Sequence, residues 1–188
     1  VQEYLLKWIT FLFQNPEKKP KTAVVFHSKE GNGKIEFLGS IGKLMGNATY
    51  LETSNAERDI FEKQSLALQG RKLVFINEMN KNIHKNYEDR MKGLITDVSL
   101  YLRPLHKQSF EVDNLAGFIL AGNSRLLVLV KKEERRFVLV EVRGGYLPNT
   151  PNHKPFWSNW FRWKNEEQNQ LAVYKYLMSI ETNEEYII

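Results

Sequence analysis

The chain contains no cysteine among its 188 residues, which removes disulfide frameworks and cysteine-ligated zinc or iron–sulfur chemistry at once. A reducing compartment fits that composition without being demanded by it. Histidine is scarce as well: there are four, and His27, His84 and His153 fall at no metal-ligand spacing. No apolar run approaches the roughly 20 residues that cross a bilayer, and no signal peptide is visible, so no membrane partner is expected. Internal repeats and low-complexity segments are absent too. The first residue is Val1 rather than methionine, from which we expect a piece of something longer.

What remains is ordinary in bulk and basic in balance. Hydrophobic content of 42% and charged content of 26% suit a globular domain, and the length suits a single one with a real core. A net charge of +5 favours a polyanionic partner without requiring one.

Apolar spacing at Tyr4, Leu5, Trp8, Ile9, Leu12 and Phe13 predicts an amphipathic N-terminal helix. "NPEKKPKT" breaks it with Pro16 and Pro20 and reads as a solvated linker. "AVVF" then predicts a buried strand, and "KIEFLGSIGKLMG" a helix stopped by Gly46. "ATYLE" predicts a further strand and residues 55–68 a helix. Buried strands follow at "RKLVFINEMN", "LAGFILAGN" and "RRFVLVEV", with a helix near 87–95 after the first. "VSLYLRPLHKQSFEVDN" alternates apolar and polar residues around Pro104 and His106, predicting a β-hairpin with a basic tip. Strands alternating with helices give an α/β fold with a mostly parallel sheet.

Between the first strand and its helix stands "FHSKEGNGKIEF", residues 26–37. A phosphate-binding loop reads G-x-x-x-x-G-K-[ST]: its glycines turn backbone N–H groups toward phosphate, and its lysine reaches the β- and γ-phosphates. Here the frame reads Ser28, four residues, Gly33, Lys34 and Ile35. Ser28 replaces a glycine, and Ile35 replaces the hydroxyl that holds magnesium. A glycine-rich turn with an exposed lysine is the plain alternative.

The other strand ends bear on the choice. "LVFINE" closes on Asn77 and Glu78; Glu78 suits water activation, while Asn77 offers only a neutral oxygen where a metal-holding aspartate normally stands. "GFILAGN" closes on Asn123, a residue type that can orient water or cap a turn, and "EERRF" carries Arg135 and Arg136. "PFWSNWFRWKNEEQ" could stack on bases, but closely spaced Trp and Phe favour core or subunit packing.

The ordered set "HSKEGNGK", "LVFINE", "RPLHKQ", "LAGN", "RRF" resembles the ATPase core of superfamily 3 helicases. It is closest to primase-helicases of phages, large DNA viruses and mobile elements. The resemblance runs over residues 4–142 and implies a P-loop, AAA+-like α/β core with a hairpin and a small helical C-terminal segment. The corresponding division is 1–20 for the N-terminal helix and linker, 21–145 for the ATPase core and 146–188 for the aromatic-rich tail. It implies ATP and Mg2+ as ligands, with Ser28, Glu30, Gly31, Asn32, Gly33, Lys34 and Ile35 around the nucleotide and Asn77 and Glu78 at the metal. Glu78 would polarise water, Asn123 would sense the γ-phosphate, and Arg135 or Arg136 would act in trans as an arginine finger. Arg103, His106 and Lys107 would grip single-stranded DNA inside a homo-oligomeric ring, a hexamer in the full-length protein, in the cytoplasm of the host cell. Ile35 and Asn77 depart from the family pattern and keep a second reading open, a hydrolysis-deficient, nucleotide-responsive DNA-binding or scaffolding module. A kinase shares the loop but not the asparagine, the arginines or the basic hairpin.

Overall fold

A computed structural model describes residues 2–27, 31–62, 65–77, 81–122, 135–142, 147–148 and 150–182, with the backbone alone over 81–86. Five strands form one parallel sheet: β1 (Ala23–His27), β2 (Tyr50–Thr53), β3 (Leu73–Ile76), β6 (Gly117–Gly122) and β7 (Phe137–Glu141), in the order β2-β3-β6-β1-β7. This is the predicted P-loop, AAA+-like α/β architecture. β4 (Ser99–Leu102) and β5 (Phe110–Asp113) form a separate antiparallel pair, the predicted hairpin.

Parallel strands covered on both faces read as unbroken apolar runs, and their two-residue period sends alternate side chains to opposite faces. Val25, Ile76 and Leu120 join a core with Met91 and Ile95 of α3 (Lys81–Thr96) and Leu100 and Leu102 of the hairpin. Val24, Phe75 and Ile119 join the other, with Trp8 and Phe11 of α1 (Gln2–Gln14), Leu38 of α2 (Lys34–Met45) and Leu177 of α5 (Glu167–Ser179). α1 therefore lies directly on the sheet. Gly117 permits this, since a Cβ there would sit 2.9 Å from both Leu12 Cδ2 and Trp8 Cη2.

Three sequence expectations need correction. The linker after α1 is not solvated throughout: Lys19 and Pro20 are buried. Lys19 Nζ donates to the carbonyls of Leu94 (2.6 Å) and Asp97 (3.1 Å), and Lys72 Nζ donates to Asn15 O at 2.7 Å and to Lys18 O. Carbonyl acceptors thus replace water around both amines. Burial lowers Lys19 to about 7 and Lys72 to about 8.

The helix expected over 55–68 is a single π turn, Glu57–Phe61. The Arg90 guanidinium donates to Phe61 O at 2.6 Å and Ile60 O at 3.4 Å, taking carbonyls that a longer helix would use. Of the core or subunit packing expected for "PFWSNWFRWKNEEQ", core packing does not hold within α4 (His153–Trp163). This helix contains no buried residue, and Phe161 and Trp163 remain 43% and 42% exposed.

Candidate nucleotide-binding site

Parallel register brings the carboxyl ends of β1, β6 and β3 side by side, with β6 in the middle. β1 runs out at His27, where its register partners are Gly122 of β6 and Glu141 of β7. The loop after β1 returns through Gly31 and Gly33, both left-handed at φ 80° and 73°. α2 starts at once, with Phe37 N–H donating to Gly33 O at 2.9 Å. Asn32 Nδ2 donates to Val142 O at 3.2 Å, tying the loop to the end of β7.

The loop opens on a cleft of about 530 Å³ lined by Gly31, Asn32, Gly33, Lys34, Ile35 and Glu36. Asn77 enters it from the end of β3. Its N–H is held by Thr53 O at 2.8 Å, while its Oδ1 is buried and has no partner among the described residues. Leaving a buried oxygen unpaired costs about 1–3 kcal/mol, so a ligand-side donor or cation in the cleft is its natural complement.

The structure therefore brings together Gly31, Asn32, Gly33, Lys34, Ile35 and Asn77. Ser28, Glu30, Glu78 and Asn123 lie outside the described residues. These loop amides and Lys34 fit a polyphosphate chain. For magnesium the described donor set is thin: Asn77 supplies one neutral oxygen, Ile35 supplies none, and among the described residues no group of three acidic, His or Cys side chains could hold a metal. Ile35 is 43% exposed at the cleft.

The remaining candidates sit elsewhere. Arg135 and Arg136 precede β7, where Ala23 N–H donates to Arg136 O at 2.7 Å. Ala23 opens β1, so this is the opposite end of the sheet from the loop, about 16 Å away along a five-residue strand. Arg103, His106 and Lys107 are exposed at the hairpin tip. His106 is left-handed at φ 59°, the one non-glycine with positive φ among the described residues. The hairpin base is anchored by Asn114, whose Nδ2 donates to Leu94 O and Asp97 O at 2.9 and 2.8 Å.

Sequence reasoning missed one wall of the cleft. His153, Trp157 and Phe161 of α4, with Pro148 before it, line the side facing the loop. Their i, i+4, i+8 spacing puts them on a single helix face, a signal present in "HKPFWSNWF". Lys164 pairs with Glu36 and holds α4 against α2.

A family model described as "Family of unknown function (DUF5906)" matches residues 26–136. The chain is 24% identical over 139 residues to the "DNA Primase-polymerase" of Nitratiruptor phage NrS-1, covering 72% of this chain but only 19% of that protein. Its fold matches an apo structure of the NrS-1 C-terminal region (305–718) with a TM-score of 0.79 at 20% identity, over 98% of this chain and 43% of that one. An A-form apo structure of the same region gives 0.77 at 21% identity, with 98% and 42% covered. The likeness is thus to a phage primase-polymerase in sequence and to the C-terminal region of the NrS-1 protein in fold. A P-loop α/β fold of this kind suits nucleotide binding in general. No helix among the described residues is long and apolar enough to cross a membrane.

Proposed function

This chain belongs to DUF5906, a family of unknown function, and from its site we propose that it is the ATP-driven helicase motor domain of a viral or mobile-element DNA replication protein. The observation that carries the reading is one cleft shared by the Gly31–Gly33 turn, Lys34 and the Oδ1 of Asn77, which has no partner among the described residues. Loop amides and Lys34 would hold the phosphates of ATP, and Asn77 with Glu78 would face its magnesium. That ion, when bound, neutralises charge on the phosphates. Glu78 would take a proton from the attacking water, and Asn123, following the strand between β1 and β3, would position that water against the γ-phosphate.

Arg135 and Arg136 stand too far from their own cleft to act there. They suit a neighbour's site, which is the reason for proposing a ring, taken as a hexamer, with ATP at its subunit interfaces. Arg103, His106 and Lys107 would contact the backbone of single-stranded DNA in the channel, a salt-sensitive, sequence-tolerant contact. We take the cytoplasm of the host cell as its site of action.

Ile35 and the neutral Asn77 favour a second reading, a nucleotide-responsive DNA-binding or scaffolding module that has lost hydrolysis. Phosphate release from ATP, with and without single-stranded DNA, separates the two. The motor reading expects release that DNA accelerates. Nucleotide binding with no release in either condition would leave the second reading, and release that instead follows transfer to an acceptor would make the protein a kinase.

A further inference from the structure

The cleft has a chemistry that a phosphate chain does not need. Besides the loop amides and Lys34, it carries the rings of His153, Trp157 and Phe161 and the exposed aliphatic side chain of Ile35. Trp157 is the centre of this wall, with its ring 6.5 Å from His153 and 6.0 Å from Phe161, centroid to centroid. It lies so close to the loop that a Cβ on Gly33 would be 1.9 Å from Trp157 Cη2. The wall is not core that happens to be near: α4 buries none of its residues. It is held in place nonetheless, through the Lys164–Glu36 ion pair.

A nucleoside triphosphate has one planar apolar part. Phosphates seek N–H groups and cations; a base seeks a ring or an aliphatic face to stack on. Resting on the phosphate-loop reading, we propose that α4 supplies the base subsite of the nucleotide cleft, with Trp157 as the stacking surface, Phe161 extending it and Ile35 adding an apolar face from α2. The ligand class is a purine nucleoside triphosphate, since the larger base covers more of an aromatic wall. The tail segment becomes part of the nucleotide site rather than an appendage to it.

The test compares two ligands on the same chain, ATP and inorganic tripolyphosphate, each with magnesium and each measured by titration. Tripolyphosphate can use the loop and Lys34 but has no base. Trp157→Ala is expected to weaken ATP by about five- to 150-fold, the range that truncation of a base-stacking ring gives, and to leave tripolyphosphate unchanged. Trp157→Phe should keep most of the ATP affinity, and Phe161→Ala should show a smaller loss of the same selectivity. ATP, but not tripolyphosphate, should also change the tryptophan emission of the wild type and lose that effect in Trp157→Phe. Equal losses for the two ligands would mean that the ring only shapes the loop, and unchanged ATP affinity would mean that the base lies elsewhere; either overturns the subsite while the phosphate loop stands. Failure of the wild type to bind tripolyphosphate, or binding indifferent to Lys34→Ala, would instead remove the phosphate loop, and the subsite with it.

Discussion

Replacing Gly33 and Gly39 by alanine, one at a time, should move stability in opposite directions. The two positions sit on the same short segment, at the cap of α2 and inside it. At Gly39 an added Cβ meets nothing within 4 Å, and an alanine inside a helix gains about 0.5–1 kcal/mol over glycine by restricting the unfolded chain. At Gly33 the backbone is left-handed at φ 73°, which costs a side-chain-bearing residue about 1–2 kcal/mol. The Cβ would also stand 1.9 and 2.4 Å from Cη2 and Cζ2 of Trp157, forcing the indole to move at an overpacking cost of about 1–3 kcal/mol. The sum is a loss of about 2–5 kcal/mol at Gly33 against a small gain at Gly39. Urea unfolding reads both, and with an m-value of about 2–3 kcal/mol/M the Gly33→Ala midpoint should fall by roughly 0.7–2.5 M. Adding Trp157→Ala to Gly33→Ala should recover the overpacking share and leave the backbone share. If Gly33→Ala unfolds at the same urea concentration as Gly39→Ala, neither the left-handed turn nor the indole contact exists as described.

His106→Ala with Lys107→Ala should weaken single-stranded DNA about equally for all sequences and flatten the salt dependence of binding, read by fluorescence anisotropy across a salt series; a loss confined to one sequence would contradict the channel role. Arg135→Ala or Arg136→Ala should leave a subunit's own ATP binding intact while hydrolysis drops by about a thousandfold or more, and mixing that variant with Glu78→Gln should restore phosphate release at interfaces pairing the intact halves. Mixtures as inactive as either parent, under exchange, would remove the arginines from a neighbour's site. Lys19, lowered by burial to about 7 from 10.5, binds fewer protons folded than unfolded across that window. Stability should therefore rise as pH increases from about 7 toward 10.5 and be flat for this group below it. Lys19→Met should show a shallower rise in chemical unfolding measured from pH 7 to 10, and an identical slope would mean that the amine is hydrated in the folded protein.

The parts legible in the sequence are those in which local pattern and tertiary role coincide. β1, β3 and β6 are buried on both faces, so "AVVF", "LVFI" and "GFILAG" read as strands without knowledge of their neighbours. The hairpin alternates because Leu100 and Leu102 pack inward while Tyr101 and Arg103 do not. Gly46 marks the end of α2 where a stop was expected. Other features depend on partners far along the chain. A lysine in "NPEKKPKT" reads as solvated because its acceptors, Leu94 O and Asp97 O, belong to a distant helix end. The π turn is short because Arg90, about thirty residues on, takes its carbonyls. His153, Trp157 and Phe161 announce a ring-bearing helix face, but nothing local says that Gly33 is what it faces.

The central claim is that residues 31–35 form a nucleotide site, and titration of the wild type and of Lys34→Ala with ATP and magnesium tests it most directly. The account predicts saturable one-site binding to the wild type and its loss in the variant, with the fold intact by circular dichroism, because in the proposed site Lys34 would be the cation directed at the β- and γ-phosphates. Equal affinity for ATP in the wild type and in a folded Lys34→Ala protein would contradict it.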